Sequence, residues 1–166
     1  FGDSLTHGTG ASAGQSYPDV LSELLGRQVI NGGIPGEVSA AGLKRLPAVL
    51  EEYNPTLVIL CHGGNDFLRK LNLATTSSNI DAMITLIRSR GADVVLVGVP
   101  KIGFGLQVPE LYSQIADQYT IPLQKEILVD LLSDNSMKSD VIHPNATGYR
   151  LMAEAIYDLI NRAQKK

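Results

Sequence analysis

The chain has a single cysteine, Cys61, so no disulfide can form within it. Cys61 ends the apolar run Leu57-Val58-Ile59-Leu60-Cys61, which points to a small buried side chain rather than a reactive thiol. No apolar run in the sequence approaches the roughly 20 residues that span a bilayer, so it contains no transmembrane segment. Basic residues are in the minority: 14 Lys and Arg stand against 17 Asp and Glu, for a net charge of −3. Nucleic acid is therefore not an expected partner. Neither G-x-x-x-x-G-K-[ST] nor G-x-G-x-x-G occurs, and no His, Cys, Asp or Glu set has metal-ligand spacing. No cofactor and no metal are expected. What remains is ordinary globular composition, 44% hydrophobic and 19% charged. A length of 166 residues suggests one domain covering residues 1–166. A domain of that size buries roughly 68–70% of its unfolded surface and needs no staple.

Strand and helix signals alternate along the chain, which argues for an α/β fold with a mainly parallel sheet. Thr56–Cys61 and Asp93–Val99 are continuously apolar, as strands covered on both faces are. Val29-Ile30-Asn31 and Ile121-Pro122-Leu123 are shorter strand candidates. Helical spacing of apolar residues marks Ser78–Arg90, with Ile80, Met83, Ile84 and Ile87 on one face. The last helix repeats that pattern after an N-cap at Asn145. Pro18–Leu25 stops at Gly26, Leu43–Tyr53 stops before Asn54-Pro55, and Val108–Gln118 is a further amphipathic helix. Pro100–Gln107 reads as a loop. In an open sheet of this type ligands bind at the carboxyl ends of strands, so the loops after Asn31, Cys61 and Val99 should share one face.

Two distant motifs carry the chemistry. Gly2-Asp3-Ser4-Leu5 places a serine near one end of the chain, and Asp140-Val141-Ile142-His143-Pro144 places an Asp-x-x-His near the other. Across i,i+3 a carboxylate can accept the Nδ1–H of an imidazole and leave Nε2 facing outward, which fixes the tautomer of a general base. Ser4 can serve as the nucleophile of such a base or, more plainly, as a helix N-cap. Gly63-Gly64-Asn65-Asp66, after the strand ending at Cys61, can aim the Asn65 amide into a cleft or form a simple turn. Gly36 can offer a backbone N–H to the same point. Of the other histidines, His7 suits a solvated or capping position, and His62 either lines the cleft or packs structurally.

These four blocks resemble the SGNH (GDSL) hydrolase superfamily, in order and over nearly the whole chain. The similarity is greatest to a bacterial branch of thioesterases, arylesterases and lysophospholipases, which also shares the Gly42-Leu43-x-x-Leu46-Pro47 pattern. The resemblance implies a three-layer α/β/α sandwich with a flavodoxin-like sheet. It implies Ser4, His143 and Asp140 as catalytic triad, and Ser4 N–H, Gly36 N–H and Asn65 as oxyanion hole, with Gly33 in place of Gly36 if the register slips. It also implies an apolar central strand directly before Gly2, between the 29–31 and 56–61 strands. Only Phe1 of that strand stands in this sequence, so residues preceding Phe1 are expected.

The activity implied is hydrolysis of carboxylic esters or thioesters through an acyl-enzyme, on a small-molecule substrate, with a monomer or weak dimer as working form. Ile102, Phe104 and Leu106 are candidates for an apolar acyl-binding wall, or they pin the loop to the core. Two other readings stay open: a carbohydrate deacetylase of the same superfamily, and a non-catalytic flavodoxin-like binding domain.

Overall fold

A computed structural model describes residues 1–103 and 105–165. Three parallel strands form the central sheet: β1 (Leu57–Leu60), β2 (Asp93–Val97) and β5 (Leu123–Gln124), in the order β1-β2-β5. Leu57 pairs with Asp93 and Leu60 with Leu96, and Leu96 pairs in turn with Leu123. Val94 to Val97 are all buried, so β2 is covered on both faces, with α5 and α6 packed against it. One layer holds α2 (Tyr17–Leu25), α7 (Ile127–Ser133) and α8 (Ala146–Gln164). The other holds α3 (Ser39–Tyr53), α5 (Leu73–Ser89) and α6 (Leu111–Tyr119). The architecture is the expected α/β/α sandwich.

Beyond β1 the sheet continues through single bridges. Gly2 pairs in parallel with both Cys61 and Gly33. Phe1 N donates to the Ile59 carbonyl at 2.8 Å, Cys61 N to Phe1 O at 3.0 Å, and Ile34 N to Gly2 O at 3.1 Å. Phe1 and Gly2 thus lie between the 32–34 segment and β1, at the place expected for the strand that leads into Ser4. The approach is so close that a Cβ on Gly2 would run into the Cys61 carbonyl and the Thr6 hydroxyl. Gly2→Ala is expected to cost on the order of 3 kcal/mol, because the obstacle is backbone rather than a flexible tip. Urea titration of the variant checks this, and an unchanged midpoint would contradict it.

Several elements differ from their sequence reading. Val29–Asn31 forms no strand, since no neighbouring backbone among the described residues is there to ladder with it. Pro100–Gln107 is not an open loop but a ribbon, with β3 (Lys101–Gly103) antiparallel to β4 (Gly105–Gln107). Its residues are mostly exposed, so no alternating burial pattern marks it in the sequence. Helix α3 begins at Ser39 rather than Leu43. Its first turn has no local side-chain cap, and the Asp66 carboxylate, 27 residues away, accepts the Ser39 N–H instead at 2.7 Å. Helix α8 starts as read, with Asn145 Oδ1 accepting Gly148 N–H at 3.0 Å. No helix among the described residues is long and apolar enough to cross a membrane.

Candidate active site

Ser4 opens a four-residue helix, α1 (Ser4–His7), directly after the Gly2 bridge. The cap of that helix is Asp3, whose Oδ1 accepts Leu5 N–H at 3.1 Å. Ser4 is therefore not the capping residue, and its hydroxyl is left for other work. Its N–H is one of the first-turn donors without an intrahelical acceptor. At the other end of the chain, Ser139 N–H donates to His143 O at 2.9 Å, and Asn145 N–H to Met137 O at 2.9 Å, so residues 139–145 form a tight corner ahead of α8. That corner places His143 Nε2 3.0 Å from Ser4 Oγ, across 139 residues of sequence.

The Asp140 carboxylate is fully engaged. Oδ2 lies 2.8 Å from His143 Nδ1, and Oδ1 accepts the N–H groups of Ile142 at 2.8 Å and His143 at 2.9 Å. Partial burial disfavours its charge, but the hydrogen bonds from the His143 ring and the two backbone N–H groups outweigh that. They hold the carboxyl below its usual range. The Asp140 side chain is 52% exposed and that of His143 12%. Solvent therefore screens the carboxylate's field, and its main effect on the ring is directional. With Nδ1–H donated to Asp140, Nε2 carries the lone pair that faces Ser4.

Asn65 sits in α4 (Gly64–Leu68), the short helix after Cys61. Its Nδ2 donates to Asp3 Oδ2 at 3.0 Å and to the Glu37 carbonyl at 3.1 Å. Both amide hydrogens thus have protein acceptors that hold the amide plane. Asp3 itself is buried, which raises its carboxyl above the ordinary range against the pull of His62, Leu5 N–H and Asn65. Gly36 lies on the exposed loop before Glu37 at φ +77°, a conformation that favours glycine. No acceptor for its N–H is found among the described residues. Gly33, the alternative register, has its N–H bound to Asn31 Oδ1 at 3.0 Å and packs against the backbone of Thr6 and His7.

The serine and histidine border a small open cleft. Asn65, Val99, Pro100, Ile102 and Leu132 line it with them. Of the residues read as an acyl wall that the structure describes, Ile102 is placed there and Leu106 is not. Leu106 lines a separate depression with Val108, Lys125 and Val129, where β4 lies against α7. Phe104 lies outside the described residues. His7 is exposed at the end of α1.

The sequence reading missed a polar cluster behind the oxyanion candidates. His62 is fully buried away from the cleft, and its Nε2 lies 3.2 Å from Glu37 Oε2. Arg45 grips the same carboxylate, Nε to Oε1 at 3.0 Å and Nη2 to Oε2 at 2.7 Å. Burial works against the Glu37 charge, but the hydrogen bonds from His62 and Arg45 win and hold its pKa at about 2, against 4.5 ordinarily. A carboxyl depressed by folding stabilises the fold above its unfolded value, and that stability drains as pH falls toward the folded value. Up to about 3 kcal/mol is therefore expected to be lost between pH 4.5 and 2. Denaturation curves of wild type and Glu37→Gln across that window should converge as pH drops. A constant gap between them would contradict the assignment.

The profile of the GDSL-like Lipase/Acylhydrolase family matches residues 1–151. The chain belongs to that family and is a carboxylic ester hydrolase. Among its relatives is an arylesterase of Vibrio mimicus, 31% identical over 94% of this chain and 84% of the relative. The thioesterase 1/protease 1/lysophospholipase L1 of Escherichia coli (strain K12) is 29% identical over 93% and 78%. The solved structure of TesA, 29% identical, superposes with a TM-score of 0.86 over 97% of this chain and 96% of that one.

Proposed function

We propose that this chain hydrolyses carboxylic esters and thioesters of short to medium acyl or aryl type, with Ser4, His143 and Asp140 as its catalytic triad in a single domain. The observation that carries this is the continuous relay from Asp140 Oδ2 through His143 to Ser4 Oγ, at 2.8 and 3.0 Å. His143 Nε2 takes the Ser4 proton as Oγ attacks the carbonyl carbon. The tetrahedral oxyanion is met by the N–H groups of Ser4 and Gly36 and by Asn65, whose hydrogen is shared with its present acceptor. Collapse expels the alcohol or thiol, which receives the proton from His143. Water, deprotonated by the same nitrogen, then releases the acid from Ser4.

The cleft supports the substrate class. Apart from buried Asp3 and His143, the described residues that line it carry no ionisable side chain, so a neutral acyl group is favoured. The names of the arylesterase and thioesterase relatives point the same way. A panel of p-nitrophenyl esters from acetate to longer chains, run beside acetylated sugars, tests this. Best turnover on aryl or aliphatic esters is expected, and activity confined to acetylated sugars would overturn it. Asn65→Ala is expected to lower kcat by about 10²–10³ with a smaller change in KM. Stopped-flow acylation rates check this, and an unaltered rate would remove Asn65 from the oxyanion hole.

A further inference from the structure

Glu37 follows the candidate oxyanion glycine, yet its side chain points into the protein and is only 7% exposed. The groups that hold it come from three directions. Arg45, on α3, binds both carboxylate oxygens and also donates from Nη2 to the Gly32 carbonyl at 3.1 Å. One guanidinium thus staples both ends of the 32–37 loop. It also lies over the Phe1 ring, 4.1 Å from the centroid, just ahead of Gly2-Asp3-Ser4. His62 Nδ1 accepts Gly63 N–H at 3.2 Å, so the ring proton is on Nε2 and is donated to Glu37. Within the loop, Arg69 Nη2 donates to the Gly36 carbonyl at 2.8 Å, and Glu37 O receives Asn65 Nδ2 at 3.1 Å.

Stability alone is a poor reason for this arrangement. A buried ion pair is often no more stabilising than apolar residues of the same volume, because desolvation offsets most of the attraction. What apolar residues cannot do is fix a peptide plane and an amide at once. We propose that Glu37 and Arg45 form a positioning pair that holds two oxyanion donors, Gly36 N–H and Asn65 Nδ2, in place. The side chain of Glu37 locks the peptide following Gly36, and its carbonyl orients Asn65. The pair touches neither substrate nor the Ser4–His143–Asp140 relay. This inference rests on the oxyanion roles given above.

The test is the kinetics of Glu37→Gln and of the apolar double variant Glu37→Met with Arg45→Met, on the full chain, beside Asn65→Ala. Loosened donors should lower kcat by about 10–100-fold. KM should stay within about twofold, and the pH profile of kcat/KM should not move, because the relay is intact. Glu37→Asp should recover part of the loss. In an Asn65→Ala background, Glu37→Gln should have a smaller effect than alone, since one donor it positions is gone. If Glu37→Gln fails to fold, the double variant, which leaves no buried charge unpaired, carries the measurement. A folded double variant with wild-type kcat, while Asn65→Ala is impaired, overturns the positioning role and leaves the oxyanion reading standing. An Asn65→Ala with wild-type kcat overturns both.

Discussion

Ser4→Ala is expected to lose on the order of 10⁶ in kcat while keeping its fold. The two halves of that expectation come from different observations. The Ser4 hydroxyl forms its hydrogen bond with His143 Nε2, at 3.0 Å, and without it the relay ends on no nucleophile. Folding should hardly change, because the helix cap is Asp3 and alanine is the residue best suited to the helical position that Ser4 occupies. Circular dichroism should therefore match wild type within about a few degrees of Tm, as for a surface substitution. Retention of most esterase activity by Ser4→Ala would end the serine mechanism.

Asp140→Asn is expected to lose about 10⁴ in kcat with little loss of substrate binding. An asparagine can keep its carbonyl oxygen on the Ile142 and His143 N–H groups, where Oδ1 now sits. Its NH₂ then faces His143 Nδ1, which must accept instead of donate. The ring proton moves to Nε2 and points at Ser4, so the base has no lone pair to offer. Because Asp140 is half exposed, loss of its charge is a smaller effect than this tautomer reversal. Steady-state kinetics check it: kcat should fall far more than KM rises. A variant within tenfold of wild type would show that the ring keeps its tautomer without the carboxylate.

The parts of the relay were legible in the sequence because two short motifs carry them, each weak alone and informative only together and through the resemblance to the SGNH (GDSL) superfamily. The spacing says nothing of the contact between Ser4 and His143, which lie 139 residues apart. The resemblance put Gly36 ahead of Gly33 by its Asn-x-x-x-x-Gly register, and the Gly33 N–H, unlike that of Gly36, has an acceptor among the described residues. What the sequence hid is non-local. Asp66 starts α3 from 27 residues away, and Glu37 meets His62 across 25. No spacing rule connects such pairs, so the start of α3 and the cluster behind the proposed oxyanion donors were invisible. The pairing of β3 with β4 escaped for another reason: their described residues are mostly exposed and carry no burial pattern.

β2 was legible because it is buried on both faces and must be apolar, and β1 because its apolar run stands out, whereas the Ile121-Pro122-Leu123 candidate meets β5 only at Leu123. Val29 and Ile30 are apolar too, but a strand is defined by its neighbour, and among the described residues the bridges of Gly2 reach Gly33 and Cys61. Apolar composition sets which segments want burial. Pairing decides which of them become sheet.

The central claim is that Ser4 Oγ is the one nucleophile activated for acyl transfer. A fluorophosphonate probe tests it directly, since only a serine with its base and oxyanion donors in place attacks the phosphorus and displaces fluoride. Intact mass and peptide mapping should find one adduct per chain, on Ser4, with none on Ser4→Ala and markedly slower labelling of Asp140→Asn. An actively hydrolysing enzyme that stays unlabelled, or that carries the adduct on another residue, would contradict the account.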